Sequence, residues 1–235
     1  MSEMKDFVYQ TARMLPAILL LDTSASMFEN NKIGAMNSAV RDMLASFKSY
    51  SNTIASISIA IITFGGSSAR VHLPMTAIDD LDLTAFQDME AHGMTPMGEA
   101  VSIAKTMIED KEQIPSRAYR PTVVLVSDGM PNDRWEAPMD EFKSDGRSAK
   151  CYRMAMGIGV DHGSDPYNVL LRFTGDAEQI FDASDATEIG KFFRYVTMST
   201  TSRIKTADPN HIPSMEEVFS QPESESGEVD DDFPF

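Results

Sequence analysis

Oxygen-bearing side chains follow two apolar segments of this sequence. Asp22 and Asp128 each stand at the end of such a segment, and Ser24 and Ser26 come at alternate positions after the first aspartate. Alternate residues of an extended segment point the same way, so Asp22, Ser24 and Ser26 can converge on one point. Carboxylates and neutral hydroxyls suit a hard divalent cation such as Mg²⁺, whereas zinc or iron would call for His or Cys. The pattern therefore predicts a magnesium-type site.

A third segment, Gly93-Met-Thr-Pro-Met-Gly-Glu-Ala100, offers the hydroxyl of Thr95 as a further ligand. Its alternative interpretation is that Thr95 only caps a helix whose first residue is Pro96. Asp-x-Ser-x-Ser also arises by chance in serine-rich loops, and Ser-Asp-Gly is an ordinary turn after a strand. The three segments in this order, with both aspartates at the ends of predicted strands, favour a joint role.

Apolar patterning predicts strands that alternate with helices. Strands are predicted at Ala17–Asp22, Ile54–Phe64, Val71–Leu73, Thr122–Ser127, Cys151–Gly157 and Gln179–Phe181. Helices are predicted at Gly34–Tyr50, Met97–Glu109, Trp135–Ser148, Pro166–Phe173 and Thr187–Thr200. The third strand follows the second so closely that the two should pair antiparallel. The predicted fold is α/β, an open, mostly parallel Rossmann-like sheet with helices on both faces, which binds ligands beyond the carboxyl ends of its strands.

Composition limits the function classes. The chain has 235 residues, with 20 Lys and Arg against 36 Asp and Glu and a net charge of −16, which disfavours nucleic acid and anionic membranes as partners. The single cysteine, Cys151, excludes an internal disulfide and a cysteine-based zinc site. The N-terminus lacks a secretory signal pattern, and the apolar runs are too short for a membrane helix. We therefore expect a soluble, cytoplasmic protein.

The acidic residues concentrate at the C-terminus. From Asp208 to Phe235 there are nine acidic residues and no Lys or Arg. We expect a lead-in at 1–13, a folded body at 14–201 and an acidic, flexible tail at 202–235. One hypothesis is that tail carboxylates compete with an outside ligand at the metal site or dock there in a second copy. The alternatives are a solubilising tail, or a docking peptide that uses the terminal phenylalanines.

Residues 17–26, 93–100 and 123–129 resemble a von Willebrand factor type A (vWA) domain with a complete metal-ion-dependent adhesion site. The resemblance covers about residues 14–201. It implies the vWA fold and a metal held by Asp22, Ser24, Ser26, Thr95 and Asp128, with hydroxyls as direct ligands and an aspartate often acting through water. It also implies an open coordination position that a carboxylate of a protein partner fills. Two glycines usual in the family are replaced here, by Ala25 and Met94.

Within that family the chain is most similar to the TerY-type bacterial proteins of tellurium-resistance and stress-defence loci. The similarity lies in the short N-terminal lead-in, in Ser127–Trp135 and in Phe192–Ser199. It implies a cytoplasmic protein that acts with a Ser/Thr protein kinase and a PP2C-like phosphatase.

Enzyme hypotheses have weaker support in the residues. A haloacid-dehalogenase-type phosphatase needs a second carboxylate where this chain has Ser24, and neither a Gly-Lys-Ser/Thr phosphate loop nor a Gly-x-Ser-x-Gly elbow occurs. The histidine nearest to the site in sequence is His92, three residues before Thr95. Three hypotheses stay open: a non-enzymatic, metal-dependent recognition module, a metal-assisted phosphoryl hydrolase that uses the same cluster, and a scaffold whose metal is only structural.

Overall fold

The computed structural model describes residues 12–50, 55–205 and residue 217. Its strands are β1 (Arg13–Asp22), β2 (Ala55–Gly65), β3 (Ser68–Ala77), β4 (Thr122–Ser127), β5 (Tyr152–Ile158) and β6 (Ile180–Ala183). Its α-helices are α1 (Lys32–Ser49), α2 (Met97–Glu109), α3 (Glu136–Ser144), α4 (Asp165–Thr174) and α5 (Ala186–Lys205). Short 3₁₀ segments lie at Ala25–Asn31, Ile78–Asp80, Ser148–Lys150 and Ala177–Gln179.

The strands form one six-stranded sheet in the order β3-β2-β1-β4-β5-β6. Every neighbouring pair is parallel except β2 and β3, which pair antiparallel. The predicted fold class is therefore confirmed, and so is the antiparallel third strand. That strand is ten residues long rather than three, and it forms one edge of the sheet.

Helices cover both faces of the sheet, which explains why its central strands are apolar without alternation. On β1, Leu19 and Leu21 pack on the face covered by α1 and α5, while Ile18 and Leu20 pack on the face covered by α2, α3 and α4. All six residues of β4 are buried in the same way. Polar side chains at the ends of these strands are consequently buried, as Asp22 and Ser127 are.

Several predicted boundaries differ from the structure. α3 ends at Ser144, because Asp145 is extended and Gly146 has a φ of +72°, a conformation that leaves the helix. α5 continues to Lys205. Except for Glu217, the tail from residue 206 lies outside the described residues, as do residues 1–11 of the lead-in. None of the helices in the described part of the chain is long and apolar enough to cross a membrane.

The segment that leads from β3 to α2 is fastened to α1 by one buried side chain. Asn37 donates from Nδ2 to the Met89 carbonyl at 2.9 Å and accepts from the Met89 amide at Oδ1, also at 2.9 Å. These two hydrogen bonds satisfy both backbone groups of Met89. Asn37 thereby holds in place the segment that continues to Thr95.

We expect Asn37→Ala to reduce the free energy of unfolding by about 2–3 kcal/mol, because it leaves both buried backbone groups of Met89 without a partner. Urea unfolding followed by circular dichroism measures this change. The control is Ser38→Ala at the next, exposed position of α1, for which we expect a change within about 0.5 kcal/mol. Equal effects of the two substitutions would contradict this role of Asn37.

Candidate metal centre

Asp22 is the last residue of β1 and has no exposed surface. Its Oδ1 accepts the backbone amide of Ser24 at 2.8 Å, and its Oδ2 accepts the Ser127 hydroxyl at 2.6 Å. Ser127 ends β4, the neighbouring parallel strand, so the pairing of β1 with β4 brings the second donor into place. Both oxygens are bonded, but only by neutral groups.

The pKa of Asp22 is raised to about 6: burial is the main cause and the hydrogen bonds from Ser127 and Ser24 oppose it, while the nearby charge of Asp128 adds to the rise. The folded protein therefore disfavours the ionised form of this carboxylate. A cation beside Asp22 would offset that cost, because it would favour the ionised form.

A chain of hydrogen bonds connects the other predicted ligands. Ser24 Oγ lies 3.1 Å from Ser26 Oγ, and Ser26 Oγ donates to Asp128 Oδ1 at 2.7 Å. The structure thus brings together four of the five predicted residues: one at the end of β1, two just after it and one just after β4. The remaining oxygen of Asp128 pairs with the Lys32 ammonium group at 2.7 Å.

Backbone hydrogen bonds fasten the segment that carries Thr95 to both other loops. On one side the Ala25 amide donates to the Gly93 carbonyl at 3.1 Å. On the other, Thr95 and Asn132 exchange two bonds, from the Thr95 amide to Asn132 Oδ1 at 3.0 Å and from the Asn132 amide to the Thr95 carbonyl at 3.1 Å. In the part of the chain that the structure describes, the Thr95 hydroxyl takes part in no hydrogen bond.

The N-terminus of α2 is capped from another loop. Asp133 accepts the Gly98 amide at 3.1 Å and the Glu99 amide at 2.9 Å. The alternative interpretation in which Thr95 caps a helix that starts at Pro96 is therefore wrong, since α2 begins at Met97 and Asp133 supplies the acceptors. Because Asp133 caps α2, the hydroxyl of Thr95 is not needed as a cap and can bind a ligand.

The donor set fits a hard divalent cation. Two carboxylates and three hydroxyls supply oxygen only, which is the chemistry that Mg²⁺, Mn²⁺ or Ca²⁺ prefers. Residues 12–50 and 55–205 contain no group of three or more His, Cys, Asp or Glu side chains that could hold a metal. A metal here would accordingly depend on Ser and Thr ligands, which leave its charge less neutralised than carboxylates would.

Exposed apolar side chains lie on all three loops of the centre. Phe28, Met94 and Met130 are 78%, 59% and 45% exposed, and they account for three of the five large exposed hydrophobic residues in the described chain. Each follows or adjoins a predicted ligand in sequence. Trp135, further along the loop after β4, is only partly exposed and packs on the core beneath α2 and α3.

Four residues of the centre were missed as functional residues by sequence reasoning. Ser127, Asn132 and Asp133 lie in or just after the Ser-Asp-Gly segment, and their polar types at a strand end were the available signal. Lys32 lies ten positions after Asp22, and nothing in the pattern of α1 singles it out. His92 is exposed, and its ring contacts the Glu90 carbonyl rather than a ligand of the centre.

Comparison with known proteins identifies the fold. The sequence model of the von Willebrand factor type A domain family matches residues 17–130. No curated protein sequence matches the chain.

Solved structures are similar in fold at low identity. They include the pilus adhesin SpaC from Lactobacillus rhamnosus GG in its open conformation (TM-score 0.67, 14% identity, 83% of this chain and 31% of that one). A von Willebrand factor type A protein from Catenulispora acidiphila has a TM-score of 0.64 at 19% identity, over 81% of this chain and 43% of that one. Proximal thread matrix protein 1 from the mussel byssus, solved with a zinc-occupied metal-ion-dependent adhesion site (MIDAS) motif, has a TM-score of 0.58 at 18% identity. The match covers 81% of this chain and 46% of that one. The chain thus spans less than half the length of each of these proteins.

Asp133→Ala should reduce the free energy of unfolding by about 1–2 kcal/mol, because two amides at the positive end of α2 lose their charged acceptor. Chemical unfolding at neutral pH measures the change. Asp161→Ala removes the same charge from an exposed loop position and serves as the control. If Asp133→Ala is no more destabilising than Asp161→Ala, the capping role is wrong.

Proposed function

We propose that this chain, which has the von Willebrand factor type A fold, is a non-enzymatic, metal-dependent protein-recognition module. Asp22, Ser24, Ser26, Thr95 and Asp128 would hold Mg²⁺, with Mn²⁺ or Ca²⁺ as possible substitutes. The observation that carries the proposal is the hydrogen-bonded convergence of four of these residues at the carboxyl edge of the sheet. Thr95, whose hydroxyl has no hydrogen bond among the described residues and whose backbone bonds to Asn132 in the loop after β4, completes the proposed ligand set.

The chemistry of the centre favours an anionic partner group. Hydroxyl ligands carry no charge, so a bound divalent cation would keep part of its positive charge and attract a carboxylate of another protein. Asp128 would orient the Ser26 hydroxyl, and Asp22 would position Ser24 through the backbone amide that it accepts. The zinc-occupied motif of the mussel protein supports a divalent ion at this place in the fold.

The apolar side chains around the centre indicate what surrounds that carboxylate. Phe28, Met94 and Met130 would bury apolar surface on a partner whose Asp or Glu reaches the metal. Flexible thioethers adapt to differently shaped partners, and an aromatic side chain supplies a large contact area. A protein partner with an acidic residue in apolar surroundings fits this face better than a small anion does.

The cellular setting comes from the resemblance to TerY-type proteins. On that basis we propose a cytoplasmic role in bacterial tellurium resistance or stress defence, together with a Ser/Thr kinase and a PP2C-like phosphatase. The phosphoryl-hydrolase alternative lacks a second carboxylate at Ser24, and the ring of His92 points to a carbonyl outside the centre. A purely structural metal would leave the exposed apolar residues without a role.

Adding Mg²⁺ should raise the melting temperature of the wild-type protein. At a hundredfold excess over Kd the gain is about 2.7 kcal/mol, or roughly 5–10 °C for a domain of this size. We expect Asp22→Ala to abolish the gain and Ser24→Ala to reduce it, because each removes an oxygen of the centre. Differential scanning calorimetry with and without a chelator measures both.

Asp79→Ala, which removes an exposed carboxylate far along the chain from the centre, is the matched control and should keep the gain. A wild-type melting curve that millimolar Mg²⁺, Mn²⁺ and Ca²⁺ all leave unchanged contradicts the proposed site. Phosphoester turnover that is lost in Asp22→Ala would instead support the hydrolase.

Phe28→Ser and Met94→Ser should each weaken metal-dependent capture of a protein partner about tenfold, because they remove apolar contact area next to the metal. Pull-downs with Mg²⁺ or chelator, quantified by mass spectrometry, measure this. Val71→Ser is the control, since Val71 is also an exposed hydrophobic residue but lies on edge strand β3. Equal loss of capture in all three variants would show that the face around the centre is not the binding surface.

A further inference from the structure

Lys32 forms an ion pair inside the candidate metal centre. Its Nζ lies 2.7 Å from Asp128 Oδ2, and the side chain of Asp128 is 0% exposed. In the three other ion pairs among the described residues, the carboxylate side chain is more than half exposed. Water screens the Lys32–Asp128 pair much less than those pairs, so its electrostatic effect on the centre is correspondingly larger.

The position of Lys32 in α1 is unfavourable for a positive charge. Lys32 is the first residue of the helix, and the first turn contains no acidic residue. The N-terminus of a helix carries a partial positive charge, so a cation there is destabilising. Asn30 and Asn31, with φ angles of 51° and 56°, turn the chain through left-handed conformations so that the helix starts at this point. A local cost of this kind indicates that the ion pair with Asp128 is the role of the lysine.

Asp128 and Asp22 differ in how their charges are compensated. Asp128 accepts from Ser26 on one oxygen and from the ammonium group on the other. Within the described residues, the donors to Asp22 are neutral groups of Ser24 and Ser127. The centre therefore holds two carboxylates and one resident cation, and a divalent ion would give it an excess positive charge.

We propose that Lys32 is a resident counter-cation that competes with the divalent metal for Asp128 and thereby weakens metal binding. This inference rests on the proposed function of the same centre. Without metal, Lys32 keeps the buried Asp128 paired and the loops in place. With metal bound, the ammonium group of Lys32 gives the centre an excess positive charge, which a partner carboxylate neutralises. Metal and partner therefore bind more tightly together than either does alone.

The test compares wild type with Lys32→Gln and Lys32→Met. The glutamine variant keeps a hydrogen-bond donor and removes the charge, whereas the methionine variant removes both. Titration of metal-free protein with Mn²⁺ and Mg²⁺ by calorimetry should give dissociation constants at least about tenfold lower in both variants, because the competing cation is gone. The melting temperature of the metal-free variants should fall, because Asp128 loses its counter-charge.

Lys48→Met is the control, since it removes the same charge from the last turn of α1, where the ammonium group contacts the Leu81 carbonyl. It should leave the dissociation constants unchanged. Wild type that binds metal, with Lys32→Gln binding no more tightly, overturns the role of Lys32 and leaves the metal site intact. Absence of divalent binding in wild type and both variants overturns the proposed function itself. Binding that appears only in the Lys32 variants supports the competition but contradicts metal binding by the wild-type centre, and with it the proposed function.

Discussion

A carboxylate with no exposed surface stands at the end of the central strand, and the arrangement around it follows from the need to compensate its charge. Asp22 is buried because helices cover both faces of the sheet and because β1 lies between two parallel neighbours. Burial is the main reason that its pKa is raised to about 6, and the neutral donors from Ser24 and Ser127 reduce the cost of ionisation without removing it. A divalent cation would offset the remaining imbalance, which is why we propose one at this centre.

Three segments far apart in the chain meet at this carboxylate because of the strand order. β1 and β4 are adjacent, so the residues that follow them emerge side by side at the carboxyl edge. The third segment is held by a main-chain bond from Ala25 to Gly93 and by two bonds between Thr95 and Asn132, one of them to the Asn132 side chain. Gly93 has a φ of +66°, and a Cβ there would overlap the Gly66 backbone, so this approach requires glycine. The proposed ligands are thus positioned by the backbone before a metal binds.

The parts that could be predicted from the sequence are those that depend on local pattern. The bounds of β4 and α2 agree with the prediction, since continuous or periodic apolar residues and clear chain breaks mark them. Edge strand β3 was underestimated because one of its faces is exposed and its residues alternate weakly. Asp133 caps α2 from 34 positions beyond Glu99, and Lys32 pairs with Asp128 across 96 positions. No local sequence pattern indicates contacts over such separations. The convergence of Asp22, Ser24, Ser26 and Asp128 was predictable because strand ends carried all four.

The central claim is that the five residues hold a divalent cation through their oxygens. A crystal grown with Mn²⁺ and measured at the manganese absorption edge tests it most directly. The account predicts one strong anomalous peak bonded to the hydroxyl oxygens of Ser24, Ser26 and Thr95, with Asp22 and Asp128 bonded to it directly or through water. A fully occupied peak elsewhere in the protein, with none among these residues, would contradict it.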